Sequence, residues 1–241
     1  MSPLSDLNIA AIIPAAGVGR RMQANLPKQY LLLDGKTILQ HSVERIGAHP
    51  EIDALWLALD NADPYFATTP LAGAGIKRVA GGAERVHSVL NALNQIDDAL
   101  YPWVLVHDAA RPLVRQADIS TLIARCRHTG HGGILACPVR DTMKRGDAGA
   151  AQTLVVTTVE REQLWHALTP QLFPTALLRQ AISGALAKGM TITDEASAME
   201  WADQPVLLVE GSADNIKITR PADLTLAGYF LKQQDLEYPT T

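Results

Sequence analysis

The sequence predicts an α/β protein built on an open, mostly parallel sheet, and three observations carry that prediction. Near-continuous apolar runs of strand length recur along the chain, stretches with helical spacing separate them, and small or glycine-rich segments follow several runs. Runs that are apolar at nearly every position suit strands covered on both faces, as in a parallel sheet. Strand–helix alternation implies right-handed crossovers, and a sheet of this kind takes its ligands at the carboxyl ends of its strands.

In chain order, strands are expected at 8–14, 54–60, 76–80, 103–107 and 133–139. Between them, Ile38, Leu39, Ser42, Val43 and Ile46 share one helical face, as do Val86, Val89, Leu90, Leu93 and Ile96. Ile119, Leu122, Ile123 and Cys126 form a third such face, with Asp118 read as its N-cap. Residues 141–162 break the pattern: a polar start, a turn with Gly146 and Gly149, then an apolar Thr-rich run. This reads as an extended hairpin, lying over the sheet edge or reaching to a second subunit. The second reading is preferred, because an isolated hairpin is barely stable and its apolar strand needs cover. Pro174 then opens a helix that Gly189 closes. A short helix follows Asp194, a strand spans 206–209, and a last helix starts at Pro221. With no repeat, low-complexity tract or linker, residues 1–241 read as one domain with 141–162 as a dimerisation arm.

Composition narrows the function. The 241 residues are 47% hydrophobic and 19% charged, with a net charge of −4, so no basic field points to nucleic acid. The first apolar run is cut by Pro14 and lacks a preceding basic region, so it reads as a buried strand rather than a signal or membrane segment. Cys126 and Cys137 have neither metal-ligand nor disulfide spacing and read as buried thiols in a reducing, cytoplasmic setting.

Four segments carry candidate chemistry. The first strand ends in Pro14-Ala15-Ala16-Gly17-Val18-Gly19-Arg20-Arg21-Met22, with Pro27-Lys28-Gln29 after it. Small residues let backbone N–H groups approach a ligand, and Arg20, Arg21 and Lys28 add charge suited to a triphosphate; a plain tight turn is the alternative. Met22 breaks the dinucleotide fingerprint, and no Walker sequence occurs. Gly81-Gly82-Ala83-Glu84-Arg85-Val86-His87-Ser88 marks a strand-to-helix joint at which backbone groups and Ser88 can read a base. His107-Asp108-Ala109-Ala110-Arg111-Pro112 ends a central strand. There Asp108 suits a metal–phosphate site and Arg111 a second anion, unless the two form a buried structural pair. His107 reads as a packing residue, since no nucleophile motif accompanies it. Asp214-Asn215-Ile216-Lys217 sets another carboxylate and ammonium near a strand end.

Together with P-V-x-D-T-M-K-R, W-x-A-L-T-P-Q and T-D-E-A-S-A, these motifs resemble the 2-C-methyl-D-erythritol 4-phosphate cytidylyltransferase family, in order, over roughly residues 8 to 232. The resemblance implies a Rossmann-like nucleotidyltransferase fold, Mg²⁺ dependence and a homodimer joined by the arm. It implies that Pro14, Ala15, Ala16, Gly17 and Gly19 lie along CTP, and that Gly82, Ala83 and Ser88 face the cytosine. Arg21 and Lys28 would stabilise the transition state. Asp108, Ala109, Arg111, Thr169 and Lys217 would gather around methylerythritol phosphate, with Thr142 and Arg161 arriving from the partner subunit. Asp108 and Asp214 are the candidate metal ligands. Ala83 stands where the family often has an acid, so only a backbone contact survives there. The reaction so implied is attack of the acceptor's phosphate on the α-phosphorus of CTP, which requires positioning and neutralisation, by Arg21, Lys28, Arg161, Lys217 and Mg²⁺, rather than a general base. Ribitol 5-phosphate as acceptor, and a nucleotide-binding regulator without turnover, are the alternatives.

Overall fold

The computed structural model describes residues 8–17, 26–147, 149 and 152–237. The first strand, β1 (Ile9–Pro14), is buried as far as Ile13 and shows how the layers arise. Alternate side chains of a strand point to opposite faces. Ile9, Ala11 and Ile13 accordingly enter one apolar cluster, and Ala10 and Ile12 the other. Apolar side chains on both faces demand cover on both, and helices supply it.

A short antiparallel pair, β2 (Leu32–Leu33) and β3 (Lys36–Thr37), precedes α1 (Ile38–Gly47). Thr37 caps that helix by accepting from Gln40 N at 3.1 Å. Then come β4 (Ile52–Leu59), β5 (Lys77–Ala80), α2 (Arg85–Leu93), β6 (Trp103–Val106), α3 (Gln116–Thr129) and β7 (Gly132–Pro138). α1 and α3 contribute Leu39, Val43, Ile46, Ile119, Leu122, Ile123 and Cys126 to the first cluster. α2 contributes Val86, Val89 and Leu93 to the second. Asp118 is not the cap of α3: it lies inside the first turn, after Arg115, and accepts from Ser212 N and Oγ at 2.9 and 3.1 Å.

The hairpin read as an arm is β8 (Met143–Gly146) paired antiparallel with β9 (Val155–Val159), a two-stranded sheet of its own. After it comes β10 (Trp165–Pro174), a ten-residue strand that the sequence pattern did not show. The chain continues through α4 (Thr175–Ala187), α5 (Glu195–Trp201), β11 (Val206–Glu210) and α6 (Pro221–Glu237). The main sheet has seven strands in the order β11-β7-β10-β6-β1-β4-β5. All its pairings are parallel except those of β10, which runs against both β6 and β7. β10 therefore starts where its neighbours end.

Cys126 is buried and Cys137 half-buried, and both are free thiols. Burial pushes the Cys126 thiol up to about 12, which keeps it unreactive. Among the described residues no helix is long and apolar enough to cross a membrane.

Candidate active site

A cleft opens at the carboxyl ends of β1, β5 and β6. Its walls are Pro14 to Gly17, Lys28 and Gln29, Gly82 to Arg85 with Ser88, Asp108 to Ala110, and Lys217. The two glycine-bearing loops are pinned to the same strand end. Ala15 N donates to Ala58 O at 2.8 Å, and Gly81 N donates to Leu59 O at 2.6 Å. They also touch each other: a Cβ on Gly81 would stand 2.2 Å from the Ala16 Cβ. Glycine is required there so that the loops can close against one another. Gln29, buried, donates through Nε2 to Ala15 O at 2.7 Å and ties the lysine segment to the first loop.

Ser88 is turned inward. Its Oγ accepts from Gly82 N at 2.9 Å and donates to Glu84 O at 3.3 Å. The amide of Gly82 is thus engaged within the loop, and Ser88 holds the joint in shape. A Cβ at Gly82 would meet the His87 Cβ at 2.3 Å, so this joint too depends on a glycine.

Asp108 is the electrostatic centre. Arg85 Nε donates to Oδ1 at 2.8 Å, Lys217 Nζ lies 2.7 Å from Oδ2, and Arg111 Nε approaches Oδ2 at 3.7 Å. Burial alone would raise this carboxyl, but Arg85 first, then Lys217 and Arg111, hold it well below the usual carboxylate range. Lys28 Nζ reaches Ile218 O at 3.5 Å, which brings the ammonium groups of Lys28 and Lys217 to one wall from distant parts of the chain.

Behind the cleft, His107 is fully buried. It donates from Nε2 to Arg111 O at 2.9 Å and accepts at Nδ1 from Thr169 Oγ1 at 3.0 Å. Thr169 Oγ1 in turn accepts from Asp108 N at 3.0 Å. Burial lowers the His107 pKa to about 4, so the ring is neutral and has no spare nitrogen for proton transfer.

Most of the expected residues meet here: Pro14, Ala15, Ala16, Gly17, Lys28, Gly82, Ala83, Ser88, Asp108, Ala109 and Lys217 all line the cleft. Others do not. Arg111 is buried and gives Nη1 to Asn215 O at 2.7 Å and Nη2 to Ala167 O at 3.4 Å. It stitches the Lys217 turn to β10. Thr169 is likewise buried behind Asp108. Thr142 and Arg161 are exposed and outside the cleft; Arg161 donates to Arg140 O beside a surface pocket near Trp165. Gly19 and Arg21 lie outside the described residues.

The proposed metal ligands do not form a cage. Asp214 does not line the cleft; its carboxylate takes Arg115 Nη2 at 2.6 Å and Gln234 Nε2 at 2.9 Å. Asp108 is already surrounded by cations. Among the described residues no group of three or more His, Cys, Asp or Glu side chains could hold a metal. The donor set fits a protein-held Mg²⁺ poorly.

Arg85, which lines the cleft, and its buried partner Glu195 were passed over by sequence reading, although both stand inside quoted motifs. Arg85 gives Nη1 and Nη2 to Glu195 Oε1 and Oε2 at 2.6 and 3.0 Å, while its Nε holds Asp108. The partners are 110 residues apart in sequence, so no local signal pairs them.

Comparison with known proteins agrees with this geometry. The family model described as 2-C-methyl-D-erythritol 4-phosphate cytidylyltransferase matches residues 9–233. A protein of that name from Colwellia psychrerythraea is 56% identical over 236 residues, covering 95% of this chain and 97% of its own. The solved structure of 2-C-methyl-D-erythritol 4-phosphate cytidylyltransferase from Francisella tularensis superimposes with a TM-score of 0.78 at 36% identity, over 92% of this chain and 99% of that one. A crystal structure of 4-diphosphocytidyl-2C-methyl-D-erythritol synthase gives a TM-score of 0.80 at 33% identity, over 94% and 99% of the two chains. From β1 into its last helix, over residues 9–233, this chain belongs to the 2-C-methyl-D-erythritol 4-phosphate cytidylyltransferase family.

Proposed function

We propose that the cleft transfers CMP from CTP to 2-C-methyl-D-erythritol 4-phosphate and releases pyrophosphate. The observation that carries this reading is the convergence of Lys28, at the Ile218 carbonyl, and Lys217, on Asp108, in one cleft with two glycine-bearing loops. Two anions must meet for the reaction to occur, and a wall of ammonium groups lowers their mutual repulsion. A phosphate oxygen of the acceptor attacks the α-phosphorus, the bond from that phosphorus to the bridging oxygen breaks, and pyrophosphate leaves with the electron pair. The attacking phosphate is ionised at neutral pH, so no base is needed. The neutral, fully engaged His107 agrees with that.

In this reading Lys28, with Arg21, steadies charge on the transferring phosphate, and Lys217 holds the acceptor phosphate. Ala15, Ala16 and Gly17 follow the triphosphate, while Gly82 and Ala83 frame the base. A divalent cation such as Mg²⁺ would come with the nucleotide and would offset phosphate charge there, without a carboxylate cage from the described residues of this chain. The chain acts as one domain, 1–241, with 141–162 as the dimerisation arm. Leu154, Val155 and Val156 on that arm are 62%, 65% and 61% exposed, which supports a second copy as their cover. The partner subunit's Thr142 and Arg161 then complete the cleft. Two free thiols support a reducing, cytoplasmic setting.

Pyrophosphate release tests the assignment. CTP with methylerythritol phosphate should turn over, and ribitol 5-phosphate should be a poor acceptor. UTP should be a poor donor, because a mismatched buried polar group costs about 1–3 kcal/mol. Equal rates with ribitol 5-phosphate, or no release with any polyol phosphate, would overturn the reading.

A further inference from the structure

The buried pair between Arg85 and Glu195 has no part in the transfer just described. Glu195 is 1% exposed, at the start of α5. The helix does not need it for its own stability. Asp194 and Ser197 close a capping box, Gln171 Oε1 accepts from Ala196 N at 2.9 Å, and Ala196, Ala198 and Met199 pack into the core. A buried ion pair is also weak as a source of stability, since desolvation offsets the attraction. What Glu195 does that these contacts do not is fix the direction of the Arg85 fork.

A guanidinium prefers to grip one carboxylate with two parallel hydrogen bonds. Arg85 has two carboxylates within reach. Glu195 takes both terminal nitrogens, so Asp108 receives only Nε, and only on Oδ1. Oδ2 is left for Lys217 at 2.7 Å. We infer that Glu195 and Arg85 are positioning residues that divide the two oxygens of Asp108, so that Lys217 is held where the acceptor phosphate arrives. This rests on the cytidylyl-transfer reading given above. Without the charge on Glu195, the fork turns onto Asp108, occupies both oxygens and displaces the ammonium. The chain reaches this arrangement from three separate strand ends, with Arg85 opening α2 after β5, Asp108 after β6 and Lys217 after β11.

The test is steady-state pyrophosphate release by Glu195→Gln and Arg85→Lys, with CTP and methylerythritol phosphate varied in turn. Both variants should lose about 10²-fold in kcat/KM for the acceptor, the scale of an ångström-level misplacement, with the KM for CTP unchanged. Arg85→Lys keeps the charge and loses the fork, so wild-type kinetics there overturn the inference. Loss shared equally between CTP and acceptor also overturns it. If Glu195→Gln does not fold, Glu195→Asp keeps the buried charges balanced while drawing the carboxylate back from the two terminal nitrogens of Arg85, and it is read the same way. A crystal structure of the folded Glu195 variant, in which the Arg85 fork is intact, gives an answer independent of turnover: Lys217 should leave Oδ2 of Asp108, and Lys217 still paired there refutes the idea. Failure of the wild-type chain to use the acceptor would instead strike the proposed function, and the structural readout would still decide this one.

Discussion

Gly81→Ala offers a demanding test of the cleft, because its effect can be worked out from two distances. The new Cβ would stand 2.2 Å from the Ala16 Cβ and 3.1 Å from Leu59 O. Carbon atoms in contact sit about 3.5–4.0 Å apart, so the loops must separate by roughly 1.5 Å. Neither side yields easily, since Ala15 N and Gly81 N are both hydrogen-bonded to the end of β4. Overpacking of this kind costs about 1–3 kcal/mol of stability, visible as a lower urea midpoint. The catalytic cost should be larger. A shift of an ångström between groups that frame one ligand lowers kcat/KM about 10²-fold, here for CTP in the pyrophosphate assay. Gly73→Ala, where a Cβ meets nothing within 4 Å, is the control and should be no less stable than wild type, with the same kcat/KM for CTP. If Gly81→Ala loses stability yet keeps wild-type kcat/KM for CTP, the contact between the loops has no part in shaping the site.

Other outcomes follow from the same geometry. His107 is held neutral with its pKa at about 4 against an ordinary 6.5, so the unfolded chain binds the extra proton first. Stability is therefore full above pH 6.5, falls by about 3 kcal/mol down to pH 4 and gains no further slope from this group below that. His41 and His49, also lowered by burial, act in the same direction, and urea titrations at stepped pH should show the decline. Gly47→Ala, at the last position of α1 with open space around it, should raise the urea midpoint by about 0.5–1 kcal/mol equivalent without touching activity. If the arm joins two copies as proposed, Lys28→Ala and Arg161→Ala dimers should each be nearly inactive. Co-refolded in equal amounts they should recover about a quarter of the sites, given isologous pairing. No recovery in demonstrated mixed dimers would place Arg161 with its own subunit.

The sequence revealed those features whose signal is local. The strand at Ile9–Pro14 and the faces of α1, α2 and α3 show as apolar runs and helical spacing because burial is their only requirement. The loops around Gly17 and Gly82 show as small residues because backbone approach needs them. β10 stayed hidden: Trp165–Pro174 mixes His166, Thr169, Pro170 and Gln171 with apolar residues, neither alternating nor continuous. Its irregularity has a physical reason. The register shifts between Ala167 and Gln171, where Thr169 turns to Asp108 and His107. Arg111 was legible as a cation beside Asp108, but its engagement with Asn215 O and Ala167 O depends on distant segments. Glu195 was missed for the same reason, its partner lying 110 residues away.

The reversed strand also has a consequence for how the chain is made. β7 has no hydrogen-bonding partner on the β6 side until β10 slides between them. On a ribosome, β5, β4, β1 and β6 can assemble from the first 106 residues, leaving the far edge of β6 bare. Pro174 emerges 68 residues later (174 − 106), which at about 5–20 residues per second is roughly 3–14 s. For that interval Val104 and Val106 stand on an unpaired apolar edge, the kind of surface to which other nascent chains adhere. The hairpin is synthesised within the same window, so the segment that exposes Leu154, Val155 and Val156 appears before the sheet edge is sealed. Vectorial synthesis thus makes residues 107–174 the stretch over which this chain most needs a chaperone's cover.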